Sequence, residues 1–182
     1  MKRFTLDELP LPGLHRVQRQ RLGDSRGFLA RLFCAEELAG AGWVGPIAQI
    51  NHTCTELRGT VRGLHYQRAL HAETKLVSCI RGEVFDVAVD LRPESPSYLR
   101  WHGEVLSAEN GCALLMPSGF AHGFQAMSDG VELIYCHSAA YVAEAEAGLH
   151  VLDPQLAISW PLPVHGLSPR DQCHAFLPAR PY

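Results

Sequence analysis

The sequence predicts an all-β fold, a jelly roll or closed barrel, and three observations carry that prediction. Short runs rich in β-branched and apolar residues recur with strand periodicity between residues 46 and 138. Turn residues punctuate them as Arg81-Gly82, Pro93-Glu94-Ser95-Pro96, Asn110-Gly111 and Ser128-Asp129-Gly130. Polar side chains, among them His65, Lys75, Asp86, Asp90 and Tyr135, fall inside the runs. Burying such groups unpaired is costly, so the interior is expected to be a polar, ligand-binding cavity rather than a filled core.

Within residues 1–30, Pro10, Pro12 and Gly13 precede a polar turn, Gly23-Asp24-Ser25-Arg26-Gly27, set between Val17 and Phe28. This reads as short strands around a turn, suited to reaching across to a partner subunit. Residues 34–41 read as a short helix ending at Gly40 or Gly42. Strands follow at 46–51, 60–67, 74–80, 83–92, 98–106, 113–116, 122–127 and 131–138. In the fourth, Phe85, Val87, Val89 and Leu91 make an apolar face, while Val84, Asp86, Ala88 and Asp90 make a face that carries carboxylates. Residues 144–148 read as a polar turn or short helix, and the proline-rich tail from Leu152 is expected to wrap the domain. Residues 1–182 are expected to form one domain.

Composition narrows the function. The 47% hydrophobic content is enough for a sizeable core. Lys and Arg total 16 against 19 Asp and Glu, a net charge of -3, and the basic residues are scattered. That pattern argues against nucleic acid but leaves room for a phosphate-bearing small molecule. The six cysteines lack a C-x-x-C pair and read as free thiols. With no secretory pattern and no apolar run of membrane-spanning length, no membrane association is expected and the protein is expected in the cytoplasm.

The stretch richest in chemistry is Arg62-Gly63-Leu64-His65-Tyr66-Gln67. Gly63 leaves space beside an imidazole that titrates near neutral pH. Strict alternation would put Arg62 and His65 on opposite faces, so a ligand touching both requires a bulge or twist near Gly63.

Several segments together carry a resemblance: Asp24-Ser25-Arg26-Gly27-Phe28, Gln49-Ile50-Asn51, Arg62 to Gln67, Lys75-Leu76-Val77, Gly82 to Arg92, Pro117 to Phe124, Tyr135 with Tyr141, Asp153-Pro154, and Leu167-Ser168-Pro169-Arg170-Asp171. From about residue 20 to 171 the chain resembles the dTDP-4-dehydrorhamnose 3,5-epimerases. The resemblance implies a cupin-type jelly roll, a homodimer with exchanged N-terminal strands, no cofactor and no metal, and a dTDP-4-keto-6-deoxysugar as substrate. Consistently, the His-x-His pair of metal-binding cupins is replaced here by His65-Tyr66-Gln67.

A hydrogen on the carbon beside a ketone is acidic when the enolate left behind is stabilised, so the reaction needs a base, a charge stabiliser and an acid. By resemblance, His65 is the base, Asp171 orients it, Lys75 stabilises the oxyanion and Tyr135 returns a proton to the opposite face. Arg26, Arg62 and Arg170 resemble the contacts to the diphosphate, and Tyr141 the aromatic that stacks on the thymine. Gln49, Asn51, His122 and Glu146 match further substrate positions. Ordinary roles stay open at this point: Tyr141 as packing, and Asp86 as a partner of Lys75. The chain departs from the family pattern at Arg31, where an acidic residue is usual, more mildly at Arg170 in place of Lys, and at Ile50 in place of a polar residue. Arg31 leaves two alternatives, epimerisation at C3 alone or a related substrate. A non-catalytic nucleotide-sugar binding protein is a third.

Overall fold

The computed structural model describes residues 2–178. An N-terminal hairpin, β1 (Phe4–Glu8) and β2 (His15–Arg19), leads into a second, β3 (Arg21–Asp24) and β4 (Gly27–Ala30). Helix α1 (Ala35–Leu38) continues as a 3-10 turn, Ala39–Ala41, and stops at Gly42, whose φ of 93° is the left-handed conformation that suits a helix end. The eight predicted strands follow as β5 (Gln49–Thr55), β6 (Val61–Gln67), β7 (Lys75–Arg81), β8 (Glu83–Asp90), β9 (Trp101–Ser107), β10 (Cys112–Met116), β11 (Phe120–Ala126) and β12 (Val131–His137). A three-residue strand, β13 (Glu146–Gly148), and a short helix, α2 (Pro169–Gln172), complete the elements.

Two antiparallel sheets face each other, in the orders β1-β2-β10-β7-β12-β5 and β13-β6-β11-β8-β9. The molecule is thus an all-β jelly roll of the cupin type. Strand alternation sorts the side chains into three layers. Val77, Val84, Ala88, Leu106, Leu114, Phe124 and Leu133 meet between the sheets. Val17, Leu76, Ala113, Leu115 and Cys136 form a second layer, covered by Phe4, Leu38 and Trp43. On the five-stranded sheet, Val61, Leu64, Val87, Val89 and Ala121 are covered by the tail through Val151, Leu156, Ile158 and Trp160, whose indole N–H donates to the Val151 carbonyl at 2.9 Å. The tail lies over this sheet, and the apolar face of β8 lies under it.

The differences from expectation have local causes. β5 starts at Gln49 rather than 46 and runs through Asn51-His52-Thr53, because it is an edge strand paired only with β12, with mostly exposed side chains and no apolar alternation to mark it. β9 begins at Trp101, three residues late, since Asp90 organises the preceding turn by accepting from Arg92, Ser95 and Ser97. Residues 143–148 divide into a 3-10 turn and β13, which gains its pairing from β6.

Candidate active site

The inward positions at one end of the two sheets are polar, and they enclose a cavity of about 310 Å³. Asn51, Lys75, Tyr135 and His137 come from the six-stranded sheet; Arg62, His65, His122 and Glu146 come from the five-stranded one. Both Arg62 and His65 therefore reach the same space. The required irregularity is present: His122 pairs with His65 but Phe124 pairs with Arg62, so β6 spends three steps where β11 spends two. Gly63 makes this possible, with φ of 132° and a backbone so close to β11 that an added Cβ would lie 2.5 Å from the Gly123 Cα.

His65 Nε2 lies 2.7 Å from Asp171 Oδ1. The fold joins these distant residues by docking α2 beside β6. Ser168 caps α2, its hydroxyl accepting from the Asp171 N–H at 3.1 Å, and Pro169 opens the first turn. Burial lowers the His65 pKa against the opposing pull of Asp171, which favours the uncharged ring. Burial would raise the Asp171 carboxyl, but bonding to His65 and the backbone N–H of Gly63 holds it lower. With Nε2 turned to Asp171, Nδ1 remains to accept a proton.

Facing His65 from the other sheet, the Tyr135 ring lies 5.7 Å from that of His122 and 6.2 Å from that of His137. Burial, with the nearby Asp86 charge, pushes its phenol above the usual 10. His122 Nε2 sits 2.8 Å from Asp86 Oδ1, and Asp86 is fully buried with its carboxyl raised, burial outweighing the imidazole. Asp86 thus pairs with His122. Lys75 instead meets Glu73, Nζ to Oε1 at 2.9 Å, and approaches the His65 carbonyl at 3.5 Å.

Glu73 is the functional candidate that sequence reasoning missed, together with Gln67 and His137. The Gln67 amide donates to the Glu73 carboxylate at 3.0 Å and its carbonyl accepts from the Val142 N–H at 2.6 Å. Burial would raise the Glu73 carboxyl, yet the His137 ring 3.8 Å away, the Lys75 ammonium and the bond from Gln67 hold it at about 2. The available signal was its position two residues before Lys75, which in extended chain places both on one side.

At the mouth, Arg170 pairs with Glu146 at 2.7 Å and reaches to 3.2 Å from His65 Nε2. Tyr141 donates its hydroxyl to Glu146 at 2.9 Å, and its backbone N–H donates to Gln49, whose amide reaches Asn51. Tyr141 is half exposed at this rim, so it is not a core residue. Gln49 stands behind the rim, outside the cavity lining, and Arg26 and Arg31 are not brought near it within one chain. Arg26 sits at the tip of the β3–β4 hairpin, 2.6 Å from Asp24 and almost fully exposed, and Arg31 pairs with Glu37. Ile50 is exposed on β5.

The profile of the dTDP-4-dehydrorhamnose 3,5-epimerase family matches residues 8–178. The chain belongs to this family. The dTDP-4-dehydrorhamnose 3,5-epimerase of Sinorhizobium fredii is 40% identical over 160 residues, 85% of this chain and 80% of the relative. A dTDP-4-dehydrorhamnose 3-epimerase of Streptomyces niveus is 39% identical over 168 residues, 92% of this chain and 81% of the relative. Among solved structures, the dTDP-6-deoxy-D-glucose-3,5-epimerase of Legionella pneumophila, crystallised with dTDP-4-keto-L-rhamnose, superposes with a TM-score of 0.90 at 39% identity, covering 95% of this chain and 92% of that one. Membership makes the chain a carbohydrate epimerase. No described helix is long and apolar enough to cross a membrane.

Proposed function

We propose that this epimerase inverts C3 and C5 of dTDP-4-dehydro-6-deoxy-D-glucose, yielding dTDP-4-dehydro-L-rhamnose. The observation that carries the reading is the His65 imidazole, bonded to Asp171 at 2.7 Å and lining one cavity together with a buried phenol, Tyr135. His65 removes the proton beside the C4 ketone, and Asp171 stabilises the imidazolium that results. Negative charge moves to the ketone oxygen, where Lys75 is the buried cation of the cavity lining, a role in which one well-placed donor contributes about 3 kcal/mol. Tyr135 protonates the carbon from the opposite face, which inverts it. Arg62 and Arg170 suit the diphosphate, with Gln49, Asn51, His122, Tyr141 and Glu146 around the sugar and base. The reaction proceeds without a cofactor.

A homodimer in the cytoplasm accompanies this reading, with Arg26 delivered by the β3–β4 hairpin of a second copy. The hairpin's exposed Phe28 and Leu29, at 62% and 70%, support a partner surface there. Epimerisation at C3 alone is the second reading, favoured by the similarity to the Streptomyces niveus 3-epimerase. Incubation with dTDP-4-dehydro-6-deoxyglucose in D2O separates the two: label at C3 and C5 is expected, label at C3 alone selects the second, and tight dTDP binding without label would overturn both.

A further inference from the structure

A third donor lies beside the His65–Asp171 pair, and neither proton transfer nor substrate binding employs it. His174 Nε2 is 3.9 Å from Asp171 Oδ1, beyond hydrogen-bond reach, and the rings of His65 and His174 are 6.1 Å apart. One ligand atom from each of His65, Asp171 and His174 lies within 4.8 Å of the other two. His174 Nε2 is buried without a hydrogen-bond partner among the described residues, an uncompensated polar atom that a ligand would satisfy. The ring is seated against β13 where Gly148 lacks a side chain; a Cβ there would stand 2.1 Å from Nε2.

We propose that His65, Asp171 and His174 form a site for a divalent transition-metal ion such as Zn2+, and that the ion inhibits the base. Two imidazoles and a carboxylate are a borderline-soft donor set that suits zinc, with water as the fourth ligand. The 2.7 Å between His65 and Asp171 must open to about 3.3 Å, the edge of a tetrahedron with bonds of about 2 Å. Arg170 lies 3.2 Å from His65 Nε2 and 3.6 Å from Asp171 Oδ1, so an ion must displace it from both; its side chain is half exposed and also holds Glu146 at 2.7 Å, which can keep it at the rim. Inhibition follows from the tautomer. A neutral imidazole carries one proton, and when Nε2 gives its lone pair to the metal that proton resides on Nδ1, the atom that must be free to accept.

Metal binding stands apart from the proposed function, while inhibition rests on it. Co2+ titrated into the metal-free full chain is expected to give a saturable visible absorption band with one ion per chain. His174→Gln is expected to weaken it at least about tenfold, since even partners outside the ligand shell shift metal affinity by that much. No saturable band, or an unchanged affinity in the variant, would overturn the site. If His174→Gln does not fold, ring 15N signals of the wild type decide: Zn2+ must shift both His65 and His174. Zn2+ is then expected to slow deuterium wash-in and a chelator to restore it; full exchange with the cobalt-competent site filled would overturn inhibition. Absence of exchange even without metal would instead count against the proposed function, leaving the cobalt result to judge the site.

Discussion

The two ends of the space between the sheets are built by the same strands on the same alternation, and they differ in what the inward positions carry. On β12, Leu133 faces a methyl-lined interior and Tyr135, two residues on, faces the cavity; on β7, Lys75 faces the cavity and Val77 and Cys79 the apolar interior. The apolar end asks little beyond volume, because dispersion and burial are non-directional. The polar end asks for partners, since a buried charge without one is costly. It has them in Glu73 for Lys75, Asp171 for His65 and Asp86 for His122. Stability and reactivity are thereby assigned to neighbouring positions of one strand, and variants at the two ends should separate them.

The largest rate effect is expected at the polar end. His65→Asn should slow deuterium exchange about 10²–10⁴-fold while leaving the melting temperature close to wild type, the span attached to a positioned general base. Tyr135→Phe should cost about a hundredfold, measured as product formation. The pH profile sharpens both assignments. Because burial lowers the His65 pKa, activity should persist below the ordinary histidine value of 6.5 before falling in acid. Because burial raises the Tyr135 phenol, no alkaline loss below pH 10 should be traceable to it, which a comparison with Tyr135→Phe would reveal.

Glu73→Gln should lower kcat about tenfold with a smaller change in KM, by loosening the aim of Lys75. It also carries a stability signature. The carboxyl is depressed from 4.5 to about 2 in the folded chain, so its contribution is present above pH 4.5 and lost as pH falls toward 2. Denaturant titrations of the variant should show a shallower loss across that window. At the apolar end, Leu114, fully buried, should behave oppositely. Leu114→Ala should cost about 2–5 kcal/mol of stability in the same titrations and leave the exchange rate per folded molecule near wild type.

Much of this contrast was legible in the sequence. The strands were, because period-two patterning survives wherever one face is buried, and the polar residues interrupting it, His65, Lys75 and Tyr135, marked the cavity. The bulge was legible as a requirement, since Arg62 and His65 could not otherwise share a ligand, and Gly63 was the residue able to supply it. Glu73 was not, because it sits in the segment before β7, where a lone carboxylate reads as a solvated surface group. α2 was not either. Four residues are too few for helical periodicity, although Ser168-Pro169 is a good helix start. The placement of Arg26 and Arg31 depends on how the β3–β4 hairpin leaves the domain, a tertiary property that local pattern does not encode.

The central claim is that protons leave and return at the polar end with His65 as the base, and position-resolved deuterium incorporation from D2O into dTDP-4-dehydro-6-deoxyglucose tests it most directly. Wild type and Leu114→Ala should label C3 and C5, and folded His65→Asn should label neither at a comparable rate. Undiminished labelling by His65→Asn would contradict the account.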